Sequence, residues 1–100
     1  MTDGLRFDPS PATVEAGSTA TFVNDSSQPH TVTAYEDGVP PGGYFSSGGF
    51  DSEGQAREGI SQALIPPGES YELTLAKPGT YRYFCIPHEG QGMKGTLEVE

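Results

Sequence analysis

The chain has 100 residues, with fourteen acids against five bases and a formal net charge of −9. That length suits one domain spanning residues 1–100, and that charge argues against nucleic acid or an anionic membrane surface as partner. No apolar run approaches the roughly 18 residues of a membrane span, the chain as given shows no signal-peptide pattern, and a single cysteine excludes an internal disulfide.

Leu, Ile, Val and Phe total 18 of 100 residues. So low an apolar content with high charge is a flag for disorder. The apolar residues alternate strictly, however, and a period of two predicts half-buried strands. Leu5 and Phe7 share one face, opposite Arg6 and Asp8, until Asp8-Pro-Ser-Pro11 breaks the run. Ala12 to Glu15 is a short second strand. Ser18 to Asn24 is a third, with Ala20, Phe22 and Asn24 together. Asp25-Ser-Ser-Gln-Pro29 is turn chemistry. A fourth strand starts at His30 and carries Val32 and Ala34 on the same inward face.

Residues 36 to 68 are less regular. Ser52 to Glu58 predicts a short helical turn capped by Ser52, and one short edge strand is expected nearby. Alternation returns at Tyr71, Leu73 and Leu75. It recurs at Tyr81, Tyr83 and Cys85, with Arg82 and Phe84 outward, and at Gly95, Leu97 and Val99. Tyr81, in Gly79-Thr-Tyr81, reads as a tyrosine corner or an ordinary core residue. The fold class that follows is all-β: a Greek-key antiparallel sandwich of seven or eight strands with a short helical turn.

The chemistry gathers in the last loop, Cys85-Ile-Pro-His88-Glu-Gly-Gln-Gly-Met93. It holds the only cysteine, one of two histidines and one of two methionines within nine residues. A thiolate, imidazole and a thioether suit copper, and two His, one Cys and a weak axial Met describe a blue-copper site. The second imidazole has one source, His30. Cys85 ends one inward face and His30 begins another, so the two meet at one end of a sandwich if their strands are neighbours. Pro87 has no N–H and so withholds a donor from the Cys85 sulfur.

The motif Cys85-x-Pro87-His88-x-Gly90-x-Gly92-Met93, with Gly79-Thr-Tyr81 before it and Gly95 after it, resembles the C-terminal half of the plastocyanins. Asn24-x4-Pro29-His30 resembles their upstream half-site, and Glu36-Asp-Gly-Val-Pro40 the loop that follows. The acidic, lysine-poor composition resembles the halocyanins of salt-loving microbes. The resemblance implies a cupredoxin sandwich and one copper ion cycling between Cu(I) and Cu(II), with His30, Cys85, His88 and Met93 as ligands. It also implies a monomer that shuttles single electrons outside the cytoplasm, in a periplasm, a thylakoid-like lumen or at the outer face of the cell membrane. The donor and acceptor would be redox proteins, membrane-bound complexes in particular, and any targeting or anchoring segment is absent from this chain. Two departures stand out. Thr31 occupies the position of an Asn, which puts the side-chain tie to the neighbouring loop in doubt. Phe84 replaces a surface Tyr, which removes a hydroxyl that a partner could touch.

Three functions compete on these residues. An electron carrier uses all four ligands. A copper enzyme needs histidines for a further copper, and none remain. A copper or zinc store or sensor of the same fold is open, although a thioether suits zinc poorly. Glu89 reads as a solvated surface acid beside His88. The charge also has a consequence for stability, because self-repulsion acts on a thin core. The metal-free protein is expected to be marginal at low salt, with a urea midpoint that rises clearly in multimolar salt; equal midpoints in the two would sink this.

Overall fold

The structure is a computed structural model that describes residues 1–7 and 10–100. Six strands are present among the described residues, with two short helices and one 3-10 helix. In chain order they are β1 (Ala12–Val14), β2 (Thr19–Val23), β3 (Thr33–Ala34), α1 (Glu53–Glu58), α2 (Ile60–Ala63), β4 (Ser70–Thr74), β5 (Gly79–Phe84), the 3-10 helix (Ile86–Gln91) and β6 (Lys94–Val99). The expected seventh or eighth strand is therefore not seen among these residues. One sheet has the order β1-β6-β5-β3 and the other pairs β2 with β4. Pairing is antiparallel except between β1 and β6, which run parallel, so the sandwich is not purely antiparallel.

The sandwich closes over a core that includes Phe7, Val32, Phe45, Tyr81, Tyr83, Leu97 and Val99. Tyr83 is its hub. Phe7 meets the Tyr83 ring edge-on at 4.7 Å between centroids and Phe22 does so at 5.3 Å, a favoured geometry for aromatic pairs. Tyr81 is a tyrosine corner, its hydroxyl donating to the Lys77 carbonyl at 2.7 Å.

Four local readings need correction. Leu5 to Phe7 is not a strand. Leu5 sits at φ 56°, a left-handed conformation that breaks an extended run, although Phe7 still reaches the core. Asp8 and Pro9, the supposed end of that strand, lie outside the described residues. The strand from His30 is only two residues long, and Thr31 and Thr33 are buried as fully as Val32 and Ala34. In residues 36–68 the expected edge strand is reduced to isolated bridges, Thr33 with Ser46 and His30 with Ile65. Gly48 and Gly49, at φ 83° and 77°, turn the chain away just after Ser46. The helical turn is confirmed and extended by α2. Ser52 is extended at φ −148° and its Oγ accepts the Gln55 N–H at 3.2 Å, as an N-cap should.

The fourth correction concerns Phe84. Alternation places it outward, yet it is completely buried. The outer face of the sheet is covered at this end, because α1 lies against β3. Tyr35 stacks on the Phe84 ring at 4.3 Å, and the Arg57 guanidinium of α1 lies 4.4 Å from its centroid.

Gly95 pairs with Tyr83 across β5 and β6. A Cβ there would lie 2.6 Å from the Tyr83 ring, which Phe7 and Phe22 already contact edge-on. Gly95→Ala is expected to destabilise the fold by about 1–3 kcal/mol, the range for overpacking, measured by urea unfolding; a change within error would show that the ring can shift.

Candidate metal centre

The end of β5 and the lead-in to β3 form the site. The His30 backbone is held by two bonds to Ile65, donating at 3.2 Å and accepting at 2.7 Å. Cys85 follows β5 directly and is fully buried. The next six residues form the 3-10 helix, which returns the chain so that Cys85 N–H donates to the Met93 carbonyl at 3.0 Å. Met93 N–H in turn donates to the His88 carbonyl at 3.2 Å. Met93 is completely buried in the core at this end.

His30 Nδ1 lies 3.6 Å from Cys85 Sγ, and His88 Nδ1 lies 3.4 Å from it. One donor atom from each of the three residues lies within 4.8 Å of the others. Bonds of roughly 2.0–2.3 Å to nitrogen and sulfur imply edges of about this length around one ion, so the donor set fits a metal in size and in kind. It joins soft sulfur to two imidazoles. Both histidines of the chain are in this cluster.

The surrounding hydrogen bonds decide which nitrogen each imidazole presents. His30 Nε2 lies 2.9 Å from Ser26 Oγ. The Ser26 hydroxyl has one hydrogen, and its near partners for it are the Asn24 amide oxygen at 2.6 Å and the Gln28 carbonyl at 2.9 Å, both acceptors. Donation from His30 Nε2 to Ser26 Oγ agrees with these contacts, and it leaves the lone pair of Nδ1 toward Cys85. Asn24 is oriented in turn, because its NH2 donates to the Gln28 and Ile65 carbonyls at 2.8 and 2.7 Å. Burial, followed by the charge of His88, holds the His30 pKa below the usual histidine value. Both effects favour the neutral ring, the form that binds metals.

Cys85 receives the Thr31 N–H at 3.3 Å. Burial pushes its thiol pKa up, and the Thr31 and His88 N–H groups and the Thr31 hydroxyl act in the opposite direction. Thr31 also makes the side-chain tie that its replacement of an Asn put in doubt. Its Oγ1 accepts the Ile86 N–H at 2.8 Å and meets the Thr33 hydroxyl at 3.0 Å. Threonine replaces the amide function with its hydroxyl oxygen.

Glu89 is not a free surface acid. Tyr35 donates its hydroxyl to Glu89 at 2.6 Å, and Arg57 donates to both of its carboxylate oxygens at 2.9 and 3.3 Å. These bonds, Arg57 first, hold the Glu89 pKa below the usual carboxylate range against the effect of burial. Ser26, Tyr35 and Arg57 were not singled out from sequence. Ser26 sits in an ordinary turn motif, and nothing in sequence spacing connects Arg57 with Glu89.

A two-sheet sandwich with a sulfur and two imidazole nitrogens converging at one end defines the class of small single-metal redox proteins. Comparison with known proteins makes the assignment specific. The family model for copper-binding proteins of the plastocyanin/azurin family matches residues 1–100, and the chain belongs to that family. It is 43% identical over 96 residues to a plastocyanin of Scenedesmus fuscus, covering 96% of this chain and 88% of the relative. It is 43% identical over 98 residues to plastocyanin A/B of Petroselinum crispum, covering 96% and 89%. Among solved structures, a mutant fern plastocyanin superposes with a TM-score of 0.71 at 25% identity, covering 99% of this chain and 94% of that one.

The Thr31 tie can be tested directly. Thr31→Val leaves the backbone donor to Cys85 in place but strands the Ile86 N–H. It is expected to lower stability by about 1–3 kcal/mol, the range for an unmet polar group, while Thr31→Ser retains most of it; equal unfolding midpoints for the three proteins would remove the tie.

Proposed function

We propose that the chain is a single-domain electron carrier with one type 1 copper ion, held by His30, Cys85 and His88 with Met93 as the weak fourth ligand. The observation that carries this reading is the convergence of both histidine Nδ1 atoms on one buried cysteine sulfur. Bound copper supplies a one-electron change between Cu(I) and Cu(II). The protein's own groups prepare for that change. Ser26 and the Ile65 backbone hold the His30 ring in one tautomer and position. The Thr31 N–H donates to the sulfur at 3.3 Å and favours the thiolate form against the opposing effect of burial. Because burial favours the neutral thiol, metal uptake releases a proton from Cys85.

His30 is sealed from solvent, whereas His88 is only half-buried. Partners therefore meet the site at the 3-10 helix, where the His88 ring approaches the surface. We take them to be redox proteins, a donor and an acceptor, including membrane-bound complexes. An extracytoplasmic setting is supported by relatives from Hordeum vulgare and Oryza sativa that are named chloroplastic plastocyanins. Carrier rather than enzyme is favoured because one cluster uses both histidines, leaving no imidazole for a further copper. The copper-loaded, oxidised protein is expected to show an intense thiolate-to-copper absorption that bleaches reversibly on one-electron reduction and is absent in Cys85→Ser. A colourless, redox-silent protein would instead favour a store or sensor of the same fold.

A further inference from the structure

Arg57 lies in the last turn of α1 and has no place in the ligand set. Its guanidinium nonetheless reaches both flanks of the metal loop. It lies over Phe84, the residue before Cys85. It forks onto Glu89, the residue after His88, at 2.9 and 3.3 Å. Its remaining contacts go to Glu53 on its own helix, with Nε at 3.0 Å and Nη2 at 2.9 Å. Tyr35 completes the arrangement, stacked on Phe84 and donating to Glu89.

From this geometry we propose that Arg57 is a positioning residue that fastens the 3-10 helix carrying His88 to α1 and thereby holds the His88 ring toward Cys85. Isolated surface ion pairs contribute little, but bidentate pairs within a network are the exception. A planar guanidinium can fork onto a carboxylate and stack on a ring at once, which an ammonium cannot. The 3-10 helix needs such an anchor. It has no buried residue and no side-chain cap, and short 3-10 segments have weak hydrogen-bond geometry. Glu89 is the handle. Its backbone carbonyl accepts the Gly92 N–H at 2.9 Å, and the neighbouring His88 carbonyl accepts the Met93 N–H. Holding the Glu89 side chain thus holds the turn between the two loop ligands.

This inference rests on the copper reading only for its second readout. The first uses metal-free protein. In Arg57→Leu and in Glu89→Gln, the Gly92 and Met93 amides should exchange hydrogen several times faster than in the parent, while β5 and β6 amides and the urea midpoint hold. The double variant should be no worse than the worse single. The second readout is copper affinity by chelator competition, expected to fall by about tenfold or more, as when outer partners of metal ligands are removed. Unchanged Gly92 and Met93 exchange in both variants, or equal acceleration at every amide, would overturn the proposal. A parent protein that binds no copper would overturn the copper reading alone, and the exchange comparison would still decide the role of Arg57.

Discussion

The site depends on one junction, where residues 30–31 meet residues 85–86 at the buried end of β5. Thr31 gives its N–H to the Cys85 sulfur and takes the Ile86 N–H on its hydroxyl. These bonds join residues 54 and 55 positions apart in the chain. Buried polar groups that lack partners are expensive, so both segments are driven into the one register that satisfies them. His30 is carried to the sulfur by that register. Its ring is then oriented by Ser26 and Asn24, and its backbone by Ile65.

The two imidazoles are held differently. His30 is fixed by hydrogen bonds to Ser26 and to the Ile65 backbone and is inaccessible. His88 rides on a surface 3-10 helix whose restraint comes from charged and aromatic groups outside the core. This division suits a site that must keep its shape yet exchange electrons with other proteins. It also gives α1 a purpose. A helix of six residues is too short to be stable by itself. Its Ser52 cap and its packing over β3 place Arg57 above Phe84. The burial of Phe84 follows from that cover, which a partner seeking an exposed aromatic there would not find.

The strand pattern was readable because alternation reports which face is buried. It held for β2, β4 and β6 and for Tyr81, Tyr83 and Cys85. It failed at Phe84, Thr31 and Thr33 for one reason: the sheet is covered on both faces at the site, and alternation assumes one wet face. It failed at Leu5 because a left-handed backbone angle leaves no mark in the pattern of side chains.

What the sequence alone determined was chemical. One cysteine, two histidines and one internal methionine, with three of these four in a single loop, restrict the site to a single sulfur-and-imidazole centre. Local spacing also determined the Ser52 cap, since a cap and the N–H it accepts are three residues apart. Only the tertiary structure decided the orientation of those groups. Ser26 selects the His30 nitrogen, Thr31 takes over a tie expected of an amide, and Arg57 meets Glu89 across 32 residues. Such bonds are set by which faces the packed sheets and helix bring within about 3 Å, the reach of a hydrogen bond, and that proximity is a property of the folded chain.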